Sequence, residues 1–281
     1  MRLNPRAIAA RSLALLRTQE PYVIWGNEPM NGGNYLYLWA TAWARHRTTG
    51  TRWQVRYKPK MAPWLQEFPG LAALTVREED VGFRQPRSVE WGQRPQVDFL
   101  LPDLKEFCRE VLLPGSDFCA REAQVMPEAT VVNVRRGDYY SVPAHRRQYG
   151  MDIRGYVAAA LAALPQEGTS RVVFVSDDVA WCREHLTDVV GPDREALTLP
   201  GEHDMFRDLA QLAFARNLIL ANSTFSYWGG YLASARPAPL RPRRVVAPLF
   251  FGRSYEYGES NLLLPEWLAL PEDSWLPGPV I

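Results

Sequence analysis

Val131-Val132-Asn133-Val134-Arg135-Arg136-Gly137-Asp138 is the stretch on which the reading of this chain turns. Three valines around one asparagine have the β-branched, apolar character of a buried strand, and the run stops where two arginines, a glycine and an aspartate arrive together. In an open α/β sheet, ligands bind beyond the carboxyl ends of the strands. Two guanidiniums at such an end present planar forks of donors suited to phosphate oxygens, and they stay charged at any working pH. The stretch therefore predicts a site for an anionic, phosphorylated ligand. Paired arginines near a turn are more often plain solvated surface, but the apolar strand in front of these holds them at a sheet edge. The same placement argues against reading Arg136-Gly137-Asp138 as an adhesion tripeptide.

Working outward, strand and helix alternate through the second half. A helix over 153–164 leads to a strand at 171–175 that ends in Ser176-Asp177-Asp178, followed by a helix over 179–186. An amphipathic helix over 204–216, with Met205, Leu209, Leu212 and Ala213 on one face, leads to the strand 218–221 and then to Asn222-Ser223-Thr224-Phe225-Ser226 at another helix start. A last strand is expected at 245–247. Such alternation predicts a parallel sheet with right-handed crossovers, its ends at Arg135, Ser176 and Asn222 converging. Their chemistry is complementary: arginines carry positive charge, Ser223, Thr224 and Ser226 supply hydroxyls at a helix start, and Asp177 or Asp178 could accept from a base or a ribose. Singly, each Ser or Asp is more commonly a helix cap. Together they describe a nucleoside diphosphate. Asn222-Ser223-Thr224 matches a glycosylation sequon, but it directly follows an apolar strand.

The first half reads as one βαβ unit after a short arginine-bearing helix near the N-terminus: a strand at 22–25, a helix over 35–45 and a strand at 53–57. Gly32-Gly33-Asn34 lies at the strand-to-helix turn, where backbone N–H groups could approach a ligand, or where two glycines simply make a tight turn. There is no Gly-x-Gly-x-x-Gly and no Gly-Lys-Ser, so neither a dinucleotide fingerprint nor a P-loop is present. Residues 59–102 read as irregular, with Trp64 and Trp91 as stacking candidates for a sugar, though core packing is the commoner fate of a tryptophan. Helices are expected over 103–113 and 117–125, with Pro127 as the boundary between domains 1–126 and 127–281.

The chain has 281 residues, 47% hydrophobic and 22% charged, with a net charge of +1. That is ample for one large or two modest domains, and nothing in it calls for nucleic acid or an anionic surface. The apolar run 7–16 is too short to span a bilayer and has no signal-peptide cleavage site. Cys108, Cys119 and Cys182 show neither zinc spacing nor a disulfide framework, which fits a cytoplasmic chain, free or peripheral to the inner membrane face. No Asp-x-Asp is present to hold a divalent ion on a sugar diphosphate, and arginine can do that work.

With these residues in place a family resemblance emerges. Asn133-Val134-Arg135-Arg136-Gly137-Asp138-Tyr139 resembles the His-x-Arg-Arg-Gly-Asp-Tyr motif of the α-1,2-fucosyltransferases, within the wider group of α-1,2-, α-1,6- and protein O-fucosyltransferases. Phe174-Val175-Ser176-Asp177-Asp178, Ile219 through Trp228, Gly32-Gly33-Asn34-Tyr35-Leu36-Tyr37, and Val246-Ala247-Pro248 with Pro265-Glu266-Trp267 are similar to further motifs of that family in the same order. The resemblance implies a GT-B-like pair of Rossmann-type domains with a deep cleft, the N-terminal one on the acceptor side and the C-terminal one holding the GDP-sugar. It implies an inverting transferase that moves L-fucose from GDP-L-fucose to a glycan hydroxyl, α-1,2 to a galactoside, with no metal and no cofactor. Arg135 would assist departure of GDP and Asp138 would orient the arginines. Gly32, Gly33, Asn34, Asn133, Arg136, Asp177, Asp178 and Asn222 through Ser226 (Ser223, Thr224, Phe225) would bind the donor. The family histidine is Asn133 here, which cannot carry a proton at neutral pH. Asp138 and His145 are the candidates for a base. The alternatives are a transferase using another nucleotide sugar and a non-catalytic nucleotide-sugar or glycan binder.

Overall fold

The strand that opens the chain's second half is buried along its whole length, and the architecture around it follows from that burial. The structure is a computed structural model describing residues 16–26, 30, 32–126, 128–165, 170–199 and 204–276. Residues 7–15 of the expected N-terminal helix, and Pro127, lie outside these. Two compact units divide between Ser116 and Asp117, each an α/β layer structure on a parallel sheet, as Rossmann-like domains require.

In the first unit β1 (Tyr22–Gly26), α1 (Asn34–Thr49) and β2 (Trp53–Arg56) form the expected βαβ unit. Tyr35 through Ala44 are all buried, so α1 is a core helix on nearly every side, and it ends where Gly50 takes the left-handed conformation at φ 73° and returns its N–H to His46. The sheet order is β3-β2-β1-β4, all parallel, with β3 (Thr75–Val76) and β4 (Arg87–Glu90) as the edges. Both fall in the stretch expected to be irregular. β4 reads Arg-Ser-Val-Glu and its Val89 is exposed, so no apolar alternation marked it. Trp64, on α2 (Ala62–Glu67), is a core residue stacked on Phe68 at 6.3 Å, which removes it as a sugar platform. The expected helix 103–113 is α3 (Leu101–Phe107) continued by a π-helical stretch, Cys108–Leu112.

In the second unit six parallel strands run in the order β10-β9-β8-β5-β6-β7. They are β5 (Thr130–Val134), β6 (Arg171–Ser176), β7 (Glu195–Thr198), β8 (Asn217–Ile219), β9 (Arg244–Pro248) and β10 (Leu268–Leu270). Val132 and Val134 of β5, Phe174, Ile219 and Val246 share one core with α6 (Ile153–Ala162) and α7 (Val179–Val190). α8 (Met205–Ala213) and α9 (Thr224–Ala235) pack on one another, and Gly229 permits it: a Cβ there would lie 2.5 Å from Leu212. Two short helices, α4 (Gly137–Ser141) and α5 (Pro143–Tyr149), fill the crossover after β5.

The unit boundary precedes the one expected at Pro127, for a packing reason. Residues Asp117–Gln124 form a 3-10 helix that lies on the second unit's own helices. Phe118 meets Phe214 at 5.5 Å, Gln211 donates to the Gln124 carbonyl at 3.2 Å, and Glu122 pairs with Arg236. No helix among the described residues is long and apolar enough to cross a membrane.

Candidate functional site

The sheet order of the second unit places a topological switch between β5 and β8: from β5 the chain builds outward through β6 and β7, then returns to the other side for β8. Ligands of open α/β sheets bind at such a point, outside the strands' carboxyl ends. Register keeps the ends level, with Val132 opposite both Phe174 and Ile219. Arg135-Arg136, Asp177-Asp178 and Asn222-Ser223 thus leave three adjacent strands at one edge.

The arginines are held by carboxylates. Arg135 Nη1 donates to Asp177 Oδ2 at 2.6 Å and its Nη2 to Asp138 Oδ1. The Arg136 backbone N–H donates to Asp177 Oδ1 at 2.8 Å, and Arg136 Nε to Asp178 Oδ2 at 2.9 Å. Two aromatic faces steady the second guanidinium, Trp181 at 4.1 Å and Tyr140 at 4.6 Å, while Tyr139 lies 5.3 Å from the first. Gly137 is where this network needs the absence of a side chain, since a Cβ would stand 2.4 Å from Asp177 Oδ2. The Arg135 side chain is 36% exposed. It is therefore oriented yet accessible, with donors left over for an anion beyond the two it spends on aspartates.

Asp177 and Asp178 were expected to accept from a base or a ribose. Their oxygens each accept already: Asp177 from both arginines, Asp178 Oδ2 from Arg136 and Oδ1 from the Trp181 N–H at 3.2 Å as the N-cap of α7. Their role in this structure is to aim the arginines. Burial pushes the Asp178 carboxyl upward, but the Arg136 hydrogen bond, the Trp181 N–H and the charges of Arg136 and His185 outweigh it and hold the group below the usual carboxylate value. A depressed folded pKa contributes stability above the unfolded value, about 3.9, that is lost as pH falls through the folded one. Asp178→Asn keeps a good N-cap and loses the charge. Its melting temperature should accordingly fall below wild type at neutral pH and begin to converge on it only as the pH drops below about 4, toward the depressed folded value, as calorimetric scans across pH would show.

Three of the residues expected to meet the ligand make hydrogen bonds within the protein. Asn133 is buried, and its amide donates to the Val175 carbonyl at 2.9 Å. Asn222 donates to the carbonyls of Tyr149 and Phe251 at 2.9 and 3.1 Å, pinning α5 to the loop after β9. Ser226 is fully buried and its hydroxyl accepts the Ala221 N–H at 2.8 Å. Buried polar groups must find such partners, which is why these side chains turn inward. Ser223 is buried too, but it is the N-cap residue of α9 and its side chain makes no cap bond, which leaves the first N–H groups of a 12-residue helix uncapped by it. Thr224 and Phe225 follow it, half-buried. Gly32, Gly33 and Asn34 belong to the first unit, at the start of α1, with Gly32 at φ 50° and Asn34 Oδ1 accepting from Gln93 at 2.9 Å.

Tyr140, Ser141, Arg146 and Arg154 join the expected residues here. A hollow of about 360 Å³ is lined by Arg136, Gly137, Tyr140, Ser141, Asp177 and Asp178. A second of about 340 Å³ shares Arg136 and Tyr140 and adds Arg146, Arg154 and Trp181. Both fall in the range of small-molecule sites. The Tyr-Tyr pair after Asp138 was the available signal. His145 lies with Nδ1 3.3 Å from Asp138 Oδ2, so Asp138 serves an arginine through one oxygen and a histidine through the other.

The sequence model described as Glycosyl transferase family 11 matches residues 97–268, more than half of the chain. The α-1,2-colitosyltransferase of Escherichia coli is 25% identical over 181 residues, covering 60% of this chain and 61% of that protein. Galactoside α-(1,2)-fucosyltransferase 2 of Mus musculus is 30% identical over 146 residues, covering 50% of this chain and 40% of that one. The matches thus span roughly two to three fifths of the lengths of these curated relatives. Among solved structures, fucosyltransferase NodZ from Bradyrhizobium aligns over 75% of this chain and 92% of its own, at 16% identity and a TM-score of 0.43.

Proposed function

The chain belongs to glycosyl transferase family 11, and from that premise we propose that it transfers L-fucose from GDP-L-fucose to a glycan hydroxyl, in α-1,2 linkage to a galactoside and with inversion at the anomeric carbon. The observation that carries the reading is the aimed Arg135: a half-exposed guanidinium, held on two sides by Asp138 and Asp177, at the end of the central strand and beside the switch point. Charge builds on the diphosphate as the glycosyl bond breaks, and a fixed donor there stabilises the transition state more than the ground state. Ser223 and the start of α9 would take the other phosphate oxygens, and the hollows beside Arg136 and Tyr140 offer room for the nucleoside. In this assignment the second unit grips the donor and the first is the acceptor side.

A relative named for colitose transfer favours a second reading, in which the donor carries colitose, a deoxy analogue of fucose. A grip on the diphosphate does not by itself distinguish the two sugars. Calorimetric titration with GDP-fucose, GDP-colitose, GDP-mannose and UDP-galactose separates them. GDP-fucose is expected to bind tightest, and GDP release from it is expected to rise when a galactoside such as lactose is added. Tight binding with no release in either condition would make the chain a nucleotide-sugar binder, and failure to bind GDP-fucose would end the proposal.

A further inference from the structure

Resting on that reading, we propose that His145, backed by Asp138, is the catalytic base that takes the proton of the acceptor hydroxyl. The acceptor oxygen bonds to the anomeric carbon, the bond from that carbon to the phosphate oxygen breaks with its electron pair leaving on GDP, and the acceptor's proton passes to His145 Nε2. Mass and charge balance without a further reactant.

The geometry supplies each requirement. Nδ1 lies 3.3 Å from Asp138 Oδ2, at ion-pair distance, and a turn of the ring that aligns an Nδ1 proton on that carboxylate leaves the Nε2 lone pair for the acceptor. The His145 side chain is 46% exposed, open to a sugar, and its ring sits edge-on to Tyr149 at 6.2 Å, which limits its rotation. Asp138 Oδ1 holds Arg135, so the base and the guanidinium assigned to the leaving group are joined through one carboxylate.

Neighbouring groups do not serve as well. Burial pushes the phenols of Tyr139 and Tyr149 upward and that of Tyr255 up to about 12, so at neutral pH they keep their protons. Asp177 and Asp178 are committed to arginines and backbone N–H groups. The groups facing His145 are Asp138 on α4 and Tyr149 on its own helix, with the charge of Arg135 across Asp138.

The test compares wild type, His145→Gln and His145→Ala in the full chain, with GDP-fucose and the best acceptor from a galactoside panel. We expect kcat to fall about 10²-fold in both variants, the low end of what a positioned base contributes, with GDP-fucose affinity by calorimetry within about twofold. The acid limb of the wild-type pH profile should be absent in His145→Gln, and imidazole in the buffer should restore part of the rate of His145→Ala. Turnover within threefold of wild type overturns the assignment. So does a loss that imidazole does not relieve and that leaves the acid limb in place, because a merely structural histidine would behave that way. A wild-type chain that binds no GDP-fucose overturns the underlying reading as well, and that result is in hand before any variant is made.

Discussion

Replacing Arg135 with alanine lowers kcat for sugar transfer by on the order of 10²–10³ and shifts the melting temperature little. The loss is large because the proposed contact strengthens as negative charge accumulates on the departing diphosphate, and alanine offers nothing in its place. The stability cost is small because the pairs of Arg135 with Asp138 and Asp177 are partly exposed, with side chains 36%, 45% and 23% accessible. Ion pairs of that kind contribute about 0–1 kcal/mol, and the two aspartates left behind can rehydrate. Arg135→Lys sharpens the result. It keeps the charge but not the fork that reaches both carboxylates at once, so the ammonium is no longer aimed and most of the rate stays lost. Steady-state kinetics beside a thermal melt decides the matter: kcat at the wild-type level in Arg135→Ala, with the fold intact, would remove this residue from the mechanism.

The part of the molecule that the sequence made legible is the part whose chemistry is strongly local. β5, β6 and β8 declare themselves because strands buried on both faces are runs of Val, Ile, Leu and Phe. Arg135 and Asp177 are visible because charge immediately after such runs has few places to go but a sheet edge. β4, by contrast, is an edge strand reading Arg-Ser-Val-Glu, and β7 reads Glu-Ala-Leu-Thr with no fully buried residue. Neither carries a hydrophobic period, and both owe their pairing to a neighbour laid down elsewhere in the chain. The inward hydrogen bonds of Asn133, Asn222 and Ser226 have a common cause. A polar side chain at the end of an apolar strand reads as a ligand contact, and burial obliges it to satisfy a nearby backbone group first. The Asp138–His145 pair was present only as closeness along the chain. It becomes a dyad because Val142 and Pro143 end α4 and start α5, folding the two side chains together, and no periodicity announces helices of five and seven residues.

Trp267→Ala is expected to cost about 3–5 kcal/mol of stability, a drop of roughly 6–20 °C in the melting temperature of a unit this size. Trp267 is buried at the head of β10, its ring stacks on Tyr231 at 5.3 Å, and its Nε1 donates to Ser234 Oγ at 3.0 Å. Gly230 has been left without a side chain against it, since a Cβ there would fall 2.6 Å from the indole. Every one of these partners is on α9, the helix whose first turn is assigned to the phosphates. Collapse into the vacated space is restricted because Tyr227 and Tyr231 are themselves buried and ringed by aromatics, so much of the cavity penalty persists. Trp267→Phe and Ser234→Ala divide the loss: each removes the indole hydrogen bond, worth about 0.5–1.5 kcal/mol, while phenylalanine retains most of the stack. Their double mutant should cost less than the sum of the two, the excess being the coupling energy of the shared bond. Well below its melting temperature Trp267→Ala should still bind the donor, because the indole anchors the helix at its middle and far end rather than at the turn that meets the ligand. Donor affinity lost at 10 °C as completely as at 37 °C would mean that α9 is held in place by the indole alone.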